Sequence, residues 1–421
     1  MNGRFLLWAF VTLIAVWGCS GDGTRTGQAD DSRSDVVAAD SAWVGTWSTA
    51  IQLVEPHNMP PEPGLSGNTL RQVVHATIGG ERLRLRISNE FGTEPLSLHA
   101  VNMALHDGGS AIDSSTDTPV YFEGQRDVVI PAGEAVRSDP FDFSLEALTN
   151  VSISIYVDSV SAEVTGHPGS RTTSYIATGN AVSDAELSDA ASAERWYLID
   201  AIDVMAPGHF AAVATLGNSI TDGRGSGTDR QNRWPDELAR RLQANEATRH
   251  ISVLNQGIGG NCLLRHCLGQ AALTRFDRDV LEQPGIRWLI VFIGVNDIGG
   301  IQDAQQAEEV ADALIDGYET MIERAHEHGI RVYGATITPF GESFYDTPER
   351  EAVRRQINEW IRSSGAYDAV IDLDMVLRDP ENPSRLLPKA DTGDHLHPNE
   401  TGYRMIAEAI DTALFLNKNV K

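Results

Sequence analysis

The segment Leu216-Gly-Asn-Ser-Ile-Thr-Asp-Gly223 directly follows the apolar run Ala211-Ala-Val-Ala-Thr215, and this junction is the strongest indication of the fold. A short apolar run followed by a glycine and a cap-forming residue predicts a buried strand that turns into a helix. Ser219 would then begin the helix, where its hydroxyl can act as a nucleophile and its N–H can bind an oxyanion. The same residues also suit an ordinary helix cap, so the stretch indicates catalysis only together with others.

A second block near the C-terminus supplies the partners that a catalytic serine needs. In Asp394-His-Leu-His397, a spacing of three lets the Asp394 carboxylate reach one imidazole nitrogen of His397 and leaves the other for Ser219. His395, one residue from Asp394, is expected to point elsewhere if the stretch is extended. A surface histidine that caps the following helix is the alternative for His397. The predicted nucleophile, base and orienting carboxylate are Ser219, His397 and Asp394.

Two blocks between them can supply donors to an oxyanion. Asn255-Gln-Gly-Ile-Gly-Gly260 and Phe292-Ile-Gly-Val-Asn296 each have the character of a loop at a strand end. Gly260 has no side chain to keep its N–H from the reacting carbon, and Asn296 can offer a side-chain amide. Taken singly, the glycines suit any tight loop and Asn296 suits a turn. Their order along the chain makes Gly260 and Asn296, with the N–H of Ser219, the predicted oxyanion hole.

From about residue 206 onward, apolar runs alternate with amphipathic stretches. This alternation predicts a parallel sheet covered by helices on both faces, with ligands at the carboxyl ends of the strands. Each of the four blocks lies just after a strand or in a late loop, at that edge of the sheet. The predicted strands are Val213–Leu216, Ile251–Asn255, Trp288–Ile293, Arg331–Ala335 and Ala369–Leu373, and the predicted helices are Trp234–Gln243, Ala307–Glu327, Pro348–Ser363 and Glu400–Leu416.

Residues 43–205 have the pattern of a separate all-β domain. The segments Thr69–Thr77, Arg82–Ser88 and Val151–Val157 alternate or are rich in Val, Ile and Leu, and helical periodicity is scarce. Gly79-Gly80, between the first two segments, suits a hairpin turn. We expect an all-β sandwich of a jelly-roll-like kind, followed by a catalytic domain at 206–421.

The N-terminus is typical of an export signal. Arg4 precedes the apolar run Phe5–Val16, which is too short to cross a bilayer as a mature helix. Two interpretations stay open: a plain secretory signal, and a lipoprotein signal in which Cys19 is lipidated and tethers the protein to a membrane. We expect a signal at 1–19 and a flexible linker at 20–42. The protein would then be periplasmic, held at the outer membrane or cell surface, or secreted.

The net charge of the chain argues against one class of partner. The 421-residue chain has a net charge of −26, which argues against a nucleic-acid partner because phosphate binding needs basic patches.

The cysteines suggest a disulfide rather than a metal site. If Cys19 is processed, Cys262 and Cys267 remain, and in an oxidising compartment they can form a disulfide. Two buried thiols are the alternative. These cysteines with His266 lack a zinc spacing, so no metal site is expected.

The blocks Gly217-Asn218-Ser219-Ile-Thr, Gly260, Gly294-Val-Asn296-Asp297 and Asp394-x-x-His397 together resemble those of the Ser-Gly-Asn-His hydrolases, also called GDSL esterases. The resemblance covers roughly residues 206–416 and is to an exported bacterial subgroup with an N-terminal β domain. It implies a flavodoxin-like three-layer α/β/α domain with five parallel strands. It also implies ester hydrolysis through an acyl-serine, with no cofactor. Asn218 departs from the family's usual aspartate, which should alter local hydrogen bonding and leave the mechanism intact.

The substrate is expected to carry a short-chain, acetyl-type ester. No long apolar run in residues 206–421 resembles a lid for fatty acyl chains. Phe340, Phe344 and Tyr345 are candidates for a sugar-stacking or acyl-pocket wall, with loop anchoring as the alternative. With export, these points favour deacetylation of a polysaccharide or of a small acylated molecule. A lipase or lysophospholipase and a general aryl esterase are the alternatives.

A glycan-binding module with an inactive hydrolase fold is the other class of function. Trp43, Trp47 and Phe91 are the aromatic candidates in the β domain, although a core role is the simpler interpretation. The intact catalytic blocks argue against an inactive hydrolase, and turnover of a nitrophenyl ester separates the two classes. The sequence leaves the oligomeric state open.

Overall fold

A computed structural model of the protein describes residues 41–416, which lie in one compact unit. The predicted signal with Cys19, and residues 20–40 of the predicted linker, lie outside the described residues. Between residues 41 and 416, no helix combines the length and the apolarity that a membrane crossing requires. The domain boundaries at 42/43 and 205/206 stay predictions. The same compact unit includes the residues before and after each boundary.

The first half of this unit consists of antiparallel strands. In chain order they are β1 Ser41–Ser48, β2 Gln52–Leu53, β3 Asn68–Ala76, β4 Gly80–Ser88, β5 Leu96–Leu105, β6 Thr118–Val120, β7 Val128–Ile130, β8 Ala135–Arg137, β9 Phe141–Leu145, β10 Thr149–Ser159, β11 Thr165–His167, β12 Ser174–Thr178, β13 Ala191–Ala193, β14 Trp196–Tyr197 and β15 Ile199–Pro207. One sheet has the order β1-β15-β4-β8, with β9 also paired to β4. A second has the order β13-β12-β3-β10-β5-β6, with β7 also paired to β5, and β14-β11-β2 form a third. The antiparallel β-rich region that the sequence predicts is confirmed.

The connection at Gly79-Gly80 differs from the predicted hairpin. β3 pairs with β10 and β12 whereas β4 pairs with β15, so the chain crosses here from one sheet to the other. The crossing is tight, because a Cβ at Gly79 would lie 2.3 Å from the carbonyl oxygen of Leu145. The hairpin prediction is wrong because paired glycines mark any close backbone approach, and local sequence does not specify the partner strand.

The second half is a parallel sheet with helices on both faces. Its elements are β16 Ala211–Gly217, α1 Ser219–Asp222, α2 Trp234–Gln243, β17 Ile251–Gly257, α3 Ala272–Phe276, β18 Ile286–Phe292, α4 Val295–Gly299, α5 Ala304–Glu327, β19 Arg331–Ala335, α6 Pro348–Ser363, β20 Ala369–Ile371, α7 Leu373–Leu377 and α8 Glu400–Ala409. The strand order β17-β16-β18-β19-β20 is the flavodoxin-like order 2-1-3-4-5. The predicted flavodoxin-like sheet of five parallel strands is confirmed. Short 3-10 or π-helical turns lie at Pro56–Asn58, Ser114–Thr116, Asp277–Leu281, Pro388–Ala390 and Thr412–Phe415.

The parallel sheet is buried on both faces. Successive side chains of β16 point to opposite sides, so Ala214 and Leu216 join the core that includes residues of α5 and α6. Ala211 and Val213 join the core that includes residues of α2 and α8. Burial on both faces explains why the strands of this half appear in the sequence as nearly continuous apolar runs.

Two predicted boundaries differ where an aspartate caps a new element. α8 ends at Ala409 rather than at Leu416, since the Asp411 side chain caps a separate 3-10 turn. β20 ends at Ile371, two residues before its predicted end, since the Asp372 side chain caps α7. Aspartate is a frequent cap as well as an ordinary surface residue, so its sequence position alone does not mark these ends.

The two halves share a buried contact between β1 and β17. A Cβ at Gly45 would lie 2.8 Å from Leu254 Cδ1, and the Gly45 carbonyl accepts from Ser252 Oγ at 2.6 Å. Gln256 Nε2 donates to Ser48 Oγ at 2.6 Å. Leu254 is fully buried and belongs to the same apolar core as the antiparallel sheets. The β-rich half therefore packs on the edge strand of the parallel sheet.

Leu254→Ala tests this contact. We expect it to lower the free energy of unfolding by about 2–5 kcal/mol, because it removes buried carbon atoms and leaves a cavity between β1 and β17. Leu53→Ala is the matched control: Leu53 is 47% exposed, and its truncation should change stability by less than about 1 kcal/mol. Urea unfolding followed by circular dichroism measures both, and equal effects would contradict the packing described.

Candidate active site

Ser219 begins α1 immediately beyond the end of β16. Gly217 permits the turn, because a Cβ there would lie 2.1 Å from Thr221 Oγ1. The Asn218 side-chain oxygen accepts from the Ile220 N–H at 3.1 Å and caps the helix, as an aspartate in that position can. As the first residue of α1, Ser219 carries an N–H that has no acceptor within the helix.

The structure brings Ser219, His397 and Asp394 together. Ser219 Oγ lies 2.8 Å from His397 Nε2, and His397 Nδ1 lies 2.6 Å from Asp394 Oδ2. Ser219 is 8% exposed and His397 is 5% exposed, so the pair is largely shielded from water yet reachable at its surface edge. This chain of hydrogen bonds has the arrangement in which an imidazole can take a proton from a serine hydroxyl.

A tight turn presents the imidazole of His397. Asp394 Oδ1 accepts from the backbone N–H groups of Leu396 at 3.0 Å and His397 at 2.9 Å. His395 has a φ of +61°, so the segment is not extended as the sequence expectation assumed. The ring of His395 turns away from the serine and bonds through Nδ1 to Asp391 Oδ2 at 2.7 Å. The expected exclusion of His395 therefore has a different cause, a left-handed residue within a turn.

The surroundings favour a neutral imidazole and an ionised carboxylate. Burial lowers the pKa of His397 from its ordinary 6.5; the hydrogen bond with Asp394 opposes this, and the charges of Arg224 and Arg171 add to it. Burial would raise the pKa of Asp394, but hydrogen bonds from the backbone and ring of His397 hold that pKa well below its usual range. A neutral His397 can accept the proton of Ser219.

Gly260 and Asn296 follow the two strands that flank β16. Gly260 has a φ of +68°, and a Cβ there would lie 2.7 Å from Leu268 Cδ1. Among the described residues, its N–H meets no hydrogen-bond acceptor. Asn296 Nδ2 donates to the Asn261 carbonyl at 2.8 Å. Because an amide nitrogen carries two hydrogens, one N–H of Asn296 remains for a ligand.

A disulfide and a carboxylate fix the loop that carries Gly260. Cys262 and Cys267 are joined by an S–S bond of 1.96 Å. Asp297, beside the candidate donor on α4, accepts from the N–H groups of Leu263 at 2.8 Å and Leu264 at 3.1 Å. The two oxyanion candidates therefore sit on segments that are bonded to each other. Within the described part of the chain, no group of three or more His, Cys, Asp and Glu side chains is arranged to hold a metal ion.

The aromatic candidates of the catalytic half divide between core and surface. Phe340 is fully buried, whereas Phe344 is 70% exposed. Tyr345 is half-buried. Its ring centroid is 4.3 Å from that of Phe344, and its hydroxyl donates to Asn296 Oδ1 at 3.0 Å. Tyr345 therefore orients the Asn296 amide, a role that the sequence did not indicate.

The aromatic candidates of the β-rich half take part in packing. Trp47 is buried, and its ring meets that of Trp196 edge to face with centroids 5.1 Å apart. Trp43 and Phe91 are half-buried, each with an arginine guanidinium over its ring. Trp43, Trp47 and Phe91 therefore pack within the β-rich half, in agreement with the simpler interpretation from the sequence.

Sequence reasoning missed a buried arginine beneath the strand ends. Arg275 donates to the carbonyls of Gly217 at 3.3 Å and Gln256 at 2.9 Å, and to Asn261 Oδ1. Its charge is balanced by Asp279 at 2.7 Å. Arg275 thus joins the loops after β16 and β17, which carry two of the candidate oxyanion donors. The only signal was an Arg and an Asp four residues apart, which equally suits a surface pair.

Sequence reasoning also missed a histidine that the β-rich half contributes beside the catalytic helix. His167, at the end of β11, has Nε2 2.9 Å from Asp222 Oδ1 and Nδ1 2.7 Å from the Ala50 carbonyl. Both ring nitrogens of the buried His167 therefore have a hydrogen-bond partner within the protein. Asp222 ends α1, and a Cβ at Gly169 would lie 2.0 Å from its Oδ2. No pattern in the sequence links residues of the two halves in this way.

His167→Ala tests the link between the halves. We expect a fall of about 1–3 kcal/mol in the free energy of unfolding, because Asp222 stays buried and loses its hydrogen-bond partner. His99→Ala, at an exposed histidine of β5, is the matched control and should change stability by less than about 0.5 kcal/mol. Denaturant unfolding compares the two variants, and wild-type stability of the His167 variant would refute a structural role for the pair.

Part of this chain is similar to known proteins in sequence and in structure. Residues 215–405 match the model of the GDSL-like Lipase/Acylhydrolase family. A search of curated protein sequences found no match. Solved structures similar to this chain include a G-D-S-L family protein from Desulfitobacterium hafniense DCB-2, with 25% identity, 47% of this chain and 97% of that chain covered, and a TM-score of 0.36. They also include an acetyl xylan esterase, with 23% identity, coverage of 47% and 96%, and a TM-score of 0.35. Axe2, an acetylxylan esterase from Geobacillus stearothermophilus, shows 20% identity, coverage of 47% and 91%, and a TM-score of 0.36. Residues 215–405, which include the parallel sheet of flavodoxin-like order, form a GDSL-like lipase/acylhydrolase domain.

Proposed function

We propose that this acylhydrolase is a serine esterase that cleaves short-chain, acetyl-type carboxylic esters through an acyl-serine. The observation that carries the proposal is the unbroken chain of hydrogen bonds from Ser219 through His397 to Asp394. An isolated serine hydroxyl is a poor nucleophile, and a neutral imidazole at 2.8 Å is the group that can activate it.

In the first half of the reaction, Ser219 Oγ attacks the ester carbonyl while His397 Nε2 takes its proton. The imidazolium is stabilised by Asp394, which four hydrogen bonds hold in place and keep ionised. His397 then gives the proton to the leaving alcohol, and the acyl group stays on Ser219. In the second half, a water molecule attacks the acyl carbon while His397 Nε2 takes one of its protons. The bond between the acyl carbon and Ser219 Oγ then breaks, His397 returns the proton to Oγ, and the carboxylic acid leaves.

The negative charge that develops on the carbonyl oxygen needs preorganised donors. The N–H groups of Ser219 and Gly260, and the second N–H of the Asn296 amide, are available for this role. The Tyr345 hydroxyl and the Asn261 carbonyl fix the Asn296 amide before substrate arrives. Fixed donors do not reorganise during the reaction, and each is typically worth about a hundredfold or more in turnover.

Carbohydrate deacetylation is the substrate class that we favour. The exposed ring of Phe344 lies next to Tyr345 and so close to the oxyanion donors that a sugar ring carrying the acetyl group can stack on it. Export, proposed from the N-terminal sequence, would give the enzyme access to acylated polysaccharides or small acylated molecules. A periplasmic, surface-bound or secreted location, with Cys19 as the candidate lipid anchor, is part of this proposal and agrees with a disulfide at Cys262–Cys267.

A lipase or lysophospholipase is the second candidate, because the same surface is partly apolar. Leu268 is 50% exposed beside Gly260, and Phe344 is 70% exposed, so an acyl chain can also lie there. Nitrophenyl acetate and nitrophenyl decanoate discriminate: a larger kcat/KM for acetate supports the esterase. Acetate release from acetylated xylan, pectin and chitin oligomers then separates a carbohydrate esterase from a general aryl esterase.

Ser219→Ala tests the proposed nucleophile. We expect kcat for nitrophenyl acetate to fall at least about a thousandfold, since the substitution removes the hydroxyl that forms the acyl intermediate. Ser363→Ala, on the exposed face of α6, is the control and should retain wild-type activity. If Ser219→Ala keeps a tenth of wild-type turnover, Ser219 is not the nucleophile. If the wild type shows no turnover, the glycan-binding alternative is favoured.

The pH dependence tests His397 as the base. Since only neutral imidazole accepts the serine proton, kcat/KM should fall as pH drops through the pKa of His397. Burial lowers that pKa, so we expect the midpoint of the acid limb below pH 6.5. A pH series with nitrophenyl acetate measures it, and a midpoint above about pH 7 would contradict a buried neutral base.

A further inference from the structure

Two arginines from different halves of the protein flank the catalytic residues. Arg171 lies on the loop between β11 and β12, and its Nη2 is 3.9 Å from Asp222 Oδ2 on the catalytic helix. Arg224 follows α1, and its Nε is 4.0 Å from Asp394 Oδ2. The positive charge of each lies close enough to His397 to act on that imidazole. Both guanidinium groups therefore border the site where the ester reacts.

Neither guanidinium donates a hydrogen bond to another residue within 41–416. Among the described residues, no acceptor within hydrogen-bond distance faces the side chain of Arg171 or of Arg224, and Arg171 Nε is buried without a partner. The fully buried arginines of this fold behave differently: Arg233 and Arg275 each donate several hydrogen bonds to carboxylates and carbonyls. A guanidinium has five N–H donors in a fork that fits an oxyanion, and here those donors remain available.

The two nearby carboxylates differ in how fully other groups satisfy them. Asp394 already accepts from Thr392 Oγ1, two backbone N–H groups and the His397 ring. Asp222 Oδ1 accepts from His167 at 2.9 Å, whereas Asp222 Oδ2 is buried without a hydrogen-bond partner among the described residues and lies 3.9 Å from Arg171 Nη2. Distances of 3.9 and 4.0 Å allow ion pairs but are too long for hydrogen bonds, so the N–H groups of both guanidiniums can still donate to a ligand.

The backbones of both arginines are held while their side chains are left partly exposed. Arg171 has a φ of +53°, a conformation that disfavours side-chain-bearing residues, and its carbonyl accepts from the Asp229 N–H at 2.9 Å. The Arg224 N–H donates to the Ser219 carbonyl at 2.9 Å, and its own carbonyl accepts from the Tyr403 hydroxyl. The side chains are 30% and 61% exposed. A left-handed residue with a large charged side chain, kept at an active site, points to a use for that side chain.

We propose that Arg171 and Arg224 form a subsite for an oxyanion of the substrate, so that the preferred esters carry a carboxylate or phosphate close to the scissile acyl group. The inference rests on the esterase function proposed above and adds the class of ester. Acetyl esters of uronic acids, or of a sugar or glycerol phosphate, have this chemistry. The β-rich half would then take part in recognition, since it supplies Arg171.

The acidity of the protein does not oppose this recognition at close range. A net charge of −26 repels anions, but at physiological ionic strength exposed charges are largely screened beyond about 8 Å. An oxyanion at hydrogen-bond distance from a guanidinium is far inside that range, where charge-assisted bonds are strong. Local donors therefore decide the preference among esters once the substrate is in contact.

The test compares matched pairs of esters on the full chain. The methyl glycosides of galacturonic acid and of galactose, each with one acetyl group and the first with its carboxylate free, differ at the carboxylate, and acetyl glycerol phosphate and acetyl glycerol differ at the phosphate. We expect the wild type to show kcat/KM at least about tenfold higher for an acidic ester than for its neutral partner, mainly through KM. The pair that shows the difference identifies carboxylate or phosphate as the recognised group.

Arg171→Gln and Arg224→Gln should each lower this acidic-to-neutral ratio about tenfold. The ratio is the proper readout, because a change in the pKa of His397 affects both esters alike. Arg404→Gln, at an exposed arginine of α8, is the matched control and should leave the ratio and the activity at wild-type values. Thermal unfolding confirms that the variants are folded.

Outcomes for the two proposals are distinct. Hydrolysis of neutral esters with a wild-type ratio of one or less, or a ratio that neither arginine variant changes, overturns the oxyanion subsite and leaves the esterase standing. Failure to hydrolyse any of the esters overturns the esterase proposal, and the subsite proposal with it.

Discussion

The hydrogen bond between Ser219 Oγ and His397 Nε2 is the constraint on which the site depends. It joins groups 178 residues apart at 2.8 Å, and no local propensity can produce it. The sheet order does so: β16 lies between β17 and β18, so the loops after all three strands meet at the point where the order reverses. The turn that begins at Asp391 brings the imidazole to the same point from the far end of the chain.

Close backbone approach and buried charge hold this point together. Gly217 and Gly257 leave no room for a Cβ, which would lie 2.1 Å from Thr221 Oγ1 and 2.2 Å from the Asp222 nitrogen respectively. Arg275 donates to the carbonyls of Gly217 and Gln256 at two strand ends, and the loss of such a partner inside the protein typically costs about 1–3 kcal/mol. The β-rich half adds His167 and Arg171 to the same region, so it is part of the architecture of the site rather than a remote appendage.

The sequence predicted the parallel sheet, its strands and the positions of the four blocks, because each signal is local. Apolar runs specify buried strands, and Pro348–Ser363 and Arg331–Ala335 have the bounds that periodicity indicates. What escaped prediction depends on long-range pairing: the crossing at Gly79, the His167–Asp222 pair and the role of Tyr345. His395 points away from Ser219, as expected, but the expected reason, an extended segment, was wrong. A histidine in the sequence does not indicate that its φ will be positive.

Covalent trapping of the nucleophile shows whether His397 activates Ser219. A fluorophosphonate reacts with a serine only when a neighbouring base activates it, so intact-protein mass spectrometry followed by peptide mapping reports which hydroxyl is activated. We expect one phosphonyl group per chain, on the peptide that contains Ser219. A label on a different residue, or an active protein that takes up no label, would contradict it.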